Sequence, residues 1–556
     1  MTPSRLLFLA LLAAALPAAA ADYNVRDYGA RGDGRSVDSP AINRAIAAAA
    51  AAGGGTVRLP AGTYLCFSLR LRSHTELHLD PGCVVVAAVA GTDGGRYDPP
   101  EPNEWGDKQY QDFGHSHFHN SLIWGDGIED VAITGPGLID GRGLGRGLNP
   151  KVLAQGPNGT VSPAERARGV AQAPQDGSGN KAIALKNCRN VSLRDFSVLM
   201  GGWFSLLATG VDNLDLDRVK VDTNRDGLDI DACRHVRISG CDVNTLNDDG
   251  IVLKNSYALG ALRACEDITI TGCEVSGFDP GSFLDGTYRT EQALAPDRDG
   301  PTGRIKIGTE SNGRFSNIAI SNCVFERCRG LAFESVDGSV IEDVSVSNIT
   351  MRHVSNAPIF IRLGNRARGP AGTPVGSIRR VRISHVVASD VDPRYPILIA
   401  GLPGHPVEDV TLDDIEVRYR GGLSLEQAAA QPRELVNTFF LRGPGLAGPR
   451  DPYRPPEQEK AYPEPSMFGL LPAYGLYARH AAGLLLRDVR VGFVEPDTRP
   501  AAVLDDVAGA RFIDFQAETA GGAPHFVLRA TRGFSARDCP GVADLSVAAA
   551  ERQSVP

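Results

Sequence analysis

One short phrase recurs along the middle of the chain: a polar residue, then apolar positions that alternate with polar ones. It reads Asn190-Val191-Ser192-Leu193, Asn213-Leu214-Asp215-Leu216, His235-Val236-Arg237-Ile238 and Asp267-Ile268-Thr269-Ile270 in the first half. It returns as Asn317-Ile318-Ala319-Ile320, Asp343-Val344-Ser345-Val346, Arg380-Val381-Arg382-Ile383 and Asp409-Val410-Thr411-Leu412. Period-2 alternation describes a strand with one buried face. A run of four cannot bury that face alone, so successive copies must stack on one another. Val191, Leu214 and Val236 are separated by 23 and then 22 residues, which sets the bare coil, and longer intervals carry loops. The predicted fold is all-β: a single-stranded right-handed parallel β-helix, its hand following the usual sense of parallel crossovers.

A second rhyme lies inside this stack and carries the densest acidic chemistry of the chain. Asn224-Arg225-Asp226-Gly227-Leu228 and Asn247-Asp248-Asp249-Gly250-Ile251 lie 23 residues apart. Stacking then brings Asp226, Asp248 and Asp249 together on one outer wall. Like charges held so close cannot all ionise easily, so at least one should keep a proton, as a general acid near neutral pH requires. An isolated Asp-Gly more often caps a turn, but three carboxylates in two rhyming phrases point to glycoside hydrolysis. An inverting hydrolase needs an acid and a base roughly 6.5–9.5 Å apart to admit a water, and adjacent coils could supply that gap. Asp229 and Asp231 alternate with apolar positions and are expected on the outer face or in turns.

Ahead of the stack, Ser39 to Ala52 is Ala-rich, with an i,i+4 pair in Ile42 and Ile46, Ser36 or Asp38 as its cap and Gly53-Gly54-Gly55 as its stop. This N-terminal helix is expected to cover the open end of the solenoid. Residues 1–21 have one Arg, an apolar run from Leu6 to Leu16 and an Ala-rich end, the pattern of a secretory signal peptide. The expected organisation is therefore a leader over 1–21 and one β-helical domain over 22–556, exported to a periplasm or the medium. No later apolar run is long enough to span a bilayer. With 57 basic against 66 acidic residues, the net charge of −9 argues against non-specific nucleic-acid binding. A polyanionic ligand would need a local basic cluster.

The ten cysteines include pairs eight residues apart, Cys233 with Cys241 and Cys265 with Cys273, while Cys323 follows an equivalent strand phrase. Equivalent positions on stacked coils predict a buried thiol ladder, with disulfides as the alternative. No Cys-x-x-Cys or matching His pair suggests zinc. In His115-Ser116-His117-Phe118-His119 the alternate histidines share a strand face, and packing, sugar contact and metal binding are all open readings. Segments 91–119, 145–178, 277–303 and 419–475 exceed what a bare coil needs and suit ordered walls around a site. Within the last, Tyr462 to Gly469 is a candidate to pack over it.

The opening Tyr23 to Gly34, the following helix, the phrase Leu59-Pro60-Ala61-Gly62-Thr63-Tyr64, the two acidic phrases and Ile307-Gly308-Thr309-Glu310 together resemble glycoside hydrolase family 28, the polygalacturonases and rhamnogalacturonan hydrolases. The resemblance implies a β-helix that hydrolyses α-linkages of a pectic polysaccharide with inversion and without a cofactor; a monomer without a metal is the accompanying expectation. It also implies Asp248 as the general acid and Asp226 and Asp249 as the groups that activate water.

Two departures bear on substrate choice. Arg225 stands where the family commonly has a small or hydroxylated residue, and it falls level with Asp248, where a guanidinium would oppose protonation of the acid. The family's Gly-His-Gly is missing. Matching Ile307-Gly308-Thr309 to the family places Arg304 at the His and Ala332-Phe333-Glu334 at the Arg-x-Lys that grips a galacturonate carboxylate. A competing match makes Arg304-Ile305-Lys306 that clamp itself. Either way Lys254, Arg304 and Lys306 are the candidate substrate-binding cations, with salt bridges to the nearby aspartates as the plain alternative. Long walls suggest a closed pocket and exo attack. A rhamnogalacturonan hydrolase, an α-rhamnosidase-type glycosidase, a polysaccharide lyase and a non-catalytic carbohydrate-binding solenoid remain as alternatives on the same scaffold.

Overall fold

The computed structural model describes residues 21–108, 110–145, 177–291, 300–442 and 451–556. The expected leader, apart from its last residue, and most of the loop 145–178 lie outside these residues.

All eight recurring phrases stack in register. Val191 pairs with Leu214, and the column continues through Val236, Ile268, Ile318, Val344 and Val381 to Val410. Each of these anchors is buried in one continuous core. The polar residue that opens each phrase has a physical reason as well. Asn190, Asn213, His235, Asp267, Asn317, Asp343, Arg380 and Asp409 all have φ between 51° and 59°, a left-handed corner that Asn and Asp adopt more readily than most residues. Their side chains form part of a surface ladder: the Asn213 amide donates to Asn190 Oδ1 at 2.9 Å and the Asn190 amide to Asp130 Oδ1 at 2.8 Å.

The chain is a parallel β-helix with three strand stacks. One runs through Arg189–Arg194, Asp212–Asp217 and Arg234–Ser239, a second through Ser197–Leu199, Lys220–Thr223 and Asp242–Thr245. The third, which builds the site, contains Lys181–Lys186, Phe204–Thr209, Asp226–Asp231, Ile251–Asn255, Ile305–Ser311, Leu331–Ser335 and Ile359–Leu363. Its inward column is Ala208, Ile230, Leu253, Ile307, Phe333, Ile361 and Ile399. From Arg314 onward the other two stacks fuse into long bent strands such as Arg314–Glu326 and Val340–Arg352.

The helix forms at Ser39–Ala51 with Asp38 at its N-cap. Its Ala41, Ile42, Ala45, Ile46 and Ala49 join the core at the first coils. The Asp38 carboxylate does not cap the helix. It accepts instead from the Arg31 and Gly32 amides at 2.7 and 3.0 Å, tying down the preceding turn. At the other end Leu545–Val555 pairs antiparallel with Phe526–Arg537. All ten cysteines are buried free thiols, and the pairing puts Cys241, Cys273 and Cys323 one above another.

Candidate active site

The two acidic phrases occupy stacked turns that lead into adjacent strands of the site face. The Gly227 and Leu228 amides donate to Asp249 O and Gly250 O at 3.0 and 2.8 Å, and the Asn247 amide to Asn224 O at 3.1 Å. The glycine in the phrase is a matter of contact: a Cβ on Gly227 would lie 2.4 Å from Gly250 O and 2.5 Å from Val243 Cγ1. With the backbones locked this way, one oxygen each of Asp226, Asp248 and Asp249 lies within 4.8 Å of the others. That closest approach is tighter than the spacing expected between an acid and a base. Two oxygens so placed can share one water at about 2.8 Å from each.

The three carboxyls differ in what they face. Asp226 and Asp249 are buried, whereas the Asp248 side chain keeps 21% of its surface and meets Arg225 Nη2 at 2.5 Å. Asp249 receives Arg304 Nε at 2.8 Å and Lys306 Nζ at 3.1 Å. Burial alone would raise its pKa, but Lys306, Arg304 and Lys254 outweigh burial and hold the carboxyl ionised, well below the usual range. Asp226 goes the other way: burial, reinforced by Asp248 and Asp229, raises it well above the usual range, by more than Lys254 at 3.9 Å and Arg225 offset. Neighbouring carboxyls pushed in opposite directions are what acid–base work requires.

The three cations expected to hold substrate are brought to the acids, and each is paired within the protein. Lys254 Nζ lies 3.2 Å from Glu310, 3.5 Å from Asp229 and 3.4 Å from His115 Nε2. Burial would strip its proton, but Glu310, Asp229 and Asp226 hold it. Lys306 also meets Glu334 at 3.2 Å, and Arg304 meets Glu464 at 2.7 Å. All three side chains are buried, so the salt bridging weighed as the plain alternative is what the structure contains. With Arg225 they set four positive charges against the trio.

Asp229 and Asp231 correct the sequence reading. Both point outward from their coil, as the alternation required, yet both are fully buried because inserted segments cover that face. Asp231 accepts from Ser256 N and Oγ at 2.7 and 2.6 Å, so it is a structural acceptor. Asp229 lies beneath the trio against Lys254, and burial raises its pKa well above normal. Glu310, Glu334 and Glu464 are further buried members of the network that the repeat pattern does not mark. Glu310 at least follows the phrase Ile307-Gly308-Thr309; Glu464 is distant in sequence and carries no local signal.

Two insertions form walls. In the first, Asn103 Nδ2 donates to Ser116 O and Ala258 O at 2.6 and 3.2 Å, and Gln111 Oε1 accepts from the Tyr257 amide. This wall delivers His115, which packs edge-on to Phe204 at 4.7 Å and is kept neutral by burial and by Lys254, its pKa lowered to about 3. His119 instead stacks on Trp124 at 4.0 Å and faces Asp126, so these two histidines serve different surroundings. From the second wall, the Tyr462 hydroxyl lies 3.5 Å from Lys306 Nζ and 3.4 Å from Thr309 Oγ1. The described start of a third insertion, 277–303, is anchored by Asp222, which accepts from the Gly281, Phe283 and Leu284 amides, each at 2.9 Å.

The comparisons agree with this architecture. The family described as rhamnogalacturonase A/epimerase, pectate lyase-like, matches residues 23–94. No curated protein matches the chain in sequence. Among solved structures, the hyperthermoactive exopolygalacturonase of Thermotoga maritima is 20% identical over 72% of this chain and 87% of its own, with a TM-score of 0.52. The family 28 exopolygalacturonase of Yersinia enterocolitica is 16% identical over 92% and 78%, with a TM-score of 0.56. The polygalacturonase of Erwinia carotovora is 18% identical over 69% and 90%, with a TM-score of 0.50. At these identities the likeness is one of fold. The chain thus has the parallel β-helix fold of the family 28 polygalacturonases, and its first coils match the rhamnogalacturonase A/epimerase family.

Proposed function

We propose that the protein is an inverting glycoside hydrolase that cleaves α-linkages in pectic saccharides, working on chain ends and outside the cytoplasm. The observation that carries this reading is the trio Asp226, Asp248 and Asp249, with oxygens within 4.8 Å, one member held ionised and another driven toward protonation. Asp248 is the most exposed of the three and protonates the departing glycosidic oxygen. Asp249, fixed by Arg304 and Lys306, takes the proton of the attacking water, which Asp226 helps to orient. Lys254, Arg304 and Lys306 act on the sugar through the carboxylates they hold. Chain-end attack is supported by the two walls, which meet the site at His115 and Tyr462, and by the names of two structural neighbours as exopolygalacturonases. The expected leader supports export.

The pairing of Lys254, Arg304 and Lys306 with buried carboxylates favours a second reading, in which the ring over the acids is a neutral sugar such as rhamnose. Wild type and Asp248→Asn incubated with polygalacturonan, rhamnogalacturonan oligosaccharides and an aryl rhamnoside separate the readings. Reducing ends from an acidic substrate, lost in the variant and without ultraviolet-absorbing products, establish the first. Cleavage of the aryl rhamnoside alone establishes the second. Unsaturated products would mean a lyase, and no turnover of any substrate would leave a binding solenoid.

A further inference from the structure

Arg225 differs from every other cation beside the trio. The side chains of Lys254, Arg304, Lys306 and Arg329 keep 6% or less of their surface, and each has a buried carboxylate partner. Arg368, further along the face, is partly exposed but lies between Glu310 and Asp112. Arg225 keeps 26% and, among the described residues, pairs with a single carboxylate, Asp248, which is itself partly exposed. Its Nε is buried and has no hydrogen-bond partner among the described residues. The guanidinium therefore has one nitrogen engaged by Asp248 and a buried Nε left unpaired, on a side chain that stays partly open beside the trio.

Resting on the hydrolase reading, we infer that Arg225 is the receptor for the carboxylate of an acidic sugar ring, and that it exchanges Asp248 for this carboxylate when substrate enters. A guanidinium binds a carboxylate with two parallel N–H donors, a geometry that a compact ammonium does not offer. The exchange has a chemical consequence. While the pair is closed, Asp248 Oδ2 is occupied by Arg225. The groups that act on it are Arg225 itself, Asp226 and Asp229 from the preceding coil, and adjacent Asp249; Tyr462 and Asp112 act on Arg225 from the two walls. Asp226 and Asp248 repel each other when both are ionised, and Arg225 acts as a counter-ion to the two. Once the substrate carboxylate takes the guanidinium, Asp248 is released to face the leaving oxygen. A neutral ring would fill the space without opening the pair.

The test compares kcat/KM for an oligogalacturonide and for the same oligosaccharide with its carboxyls reduced to alcohols, in wild type, Arg225→Ala and Arg225→Lys, with folding checked by circular dichroism and thermal unfolding. Wild type should favour the acidic substrate, and Arg225→Ala should lower that ratio by at least about tenfold, with Arg225→Lys between them. Because the acidic trio would lose the counter-ion Arg225, the pH profile of Arg225→Ala on the reduced substrate should also differ from that of wild type. An unchanged ratio, or equal losses on both substrates with an unchanged profile, overturns the assignment of Arg225 and leaves the hydrolase standing. Wild type that cleaves only the reduced substrate does the same. Failure of wild type to cleave either removes the hydrolase reading and this inference with it.

Discussion

Glu464 reaches Arg304 across 160 residues of chain, its Oε1 and Oε2 accepting from Arg304 Nη2 and Nη1 at 2.7 and 3.3 Å. Arg304 turns its remaining edge to Asp249, so one guanidinium ties a late insertion to the floor of the acidic trio. Arg329 adds a second contact to the same carboxylate at 2.9 Å. The pKa of Glu464 is low because these cations, with Lys306, outweigh the effect of burial.

Removing one member of a buried pair leaves the other charge uncompensated, at a cost of about 3–5 kcal/mol. Glu464→Gln should therefore lower stability by an amount of that order in denaturant unfolding. It should also reduce kcat through the changed hold of Arg304 on Asp249. Unaltered stability would mean that the insertion is held by other contacts.

Substitution of the proposed base and acid should be read against substrate binding. Asp249→Asn and Asp248→Asn are each expected to lose about 10²–10⁴-fold in kcat, while the affinity for a saccharide measured by calorimetry changes far less. Retention of turnover in either variant would remove that residue from the chemistry.

Glu334 is fully buried, and burial pushes its pKa up to about 7 despite Lys306 and Arg304. The folded state then binds this proton more tightly than the unfolded chain does. The resulting stabilisation is complete below the ordinary value of 4.5 and is lost as the pH rises through about 7. Its full size is roughly 3 kcal/mol. Asp249 contributes with the opposite sign, stabilising above its ordinary value and losing that contribution on acidification. Unfolding free energies measured between pH 4.5 and 8 should fall less steeply in Glu334→Gln than in wild type, and parallel curves would contradict the assignment.

Lys181 is fully buried two coils before Asp226, with Asn180 Oδ1 at 2.7 Å as its partner and no carboxylate within 4.0 Å among the described residues. Burial lowers its pKa to about 7. Between there and its ordinary value of 10.5 the unfolded chain binds the extra proton, so stability rises with pH across that window; below it, the folded state bears the whole cost of the buried charge. Lys181→Met should stabilise the protein by about 1–4 kcal/mol at pH 6, and by less at pH 10. A destabilised variant at pH 6 would show that the Asn180 contact compensates the charge.

The thiols offer a simple check on the core. A thiol reagent should find no accessible cysteine in the native protein and ten after unfolding. Fewer than ten would reveal disulfides.

The repeat was legible because stacking is a local rule applied many times. Alternation at Val191, Leu214 and their successors dictates which face is buried, the polar corner residue tolerates the left-handed turn, and together these determine the register of the whole solenoid. The same rule brought Asp226, Asp248 and Asp249 to adjacent turns and set Arg225 level with Asp248. What only the tertiary structure decided is how the outer face is covered. Asp229 and Asp231 obey the alternation yet end buried, and Lys254, Arg304 and Lys306 spend their charge on Asp226, Asp249, Glu310, Glu334 and Glu464. The physical reason is that insertions fold back from more than a hundred residues away and exclude water from that face. Lys254, Arg304 and Lys306 there each find carboxylates, and no local pattern of residues records which ones.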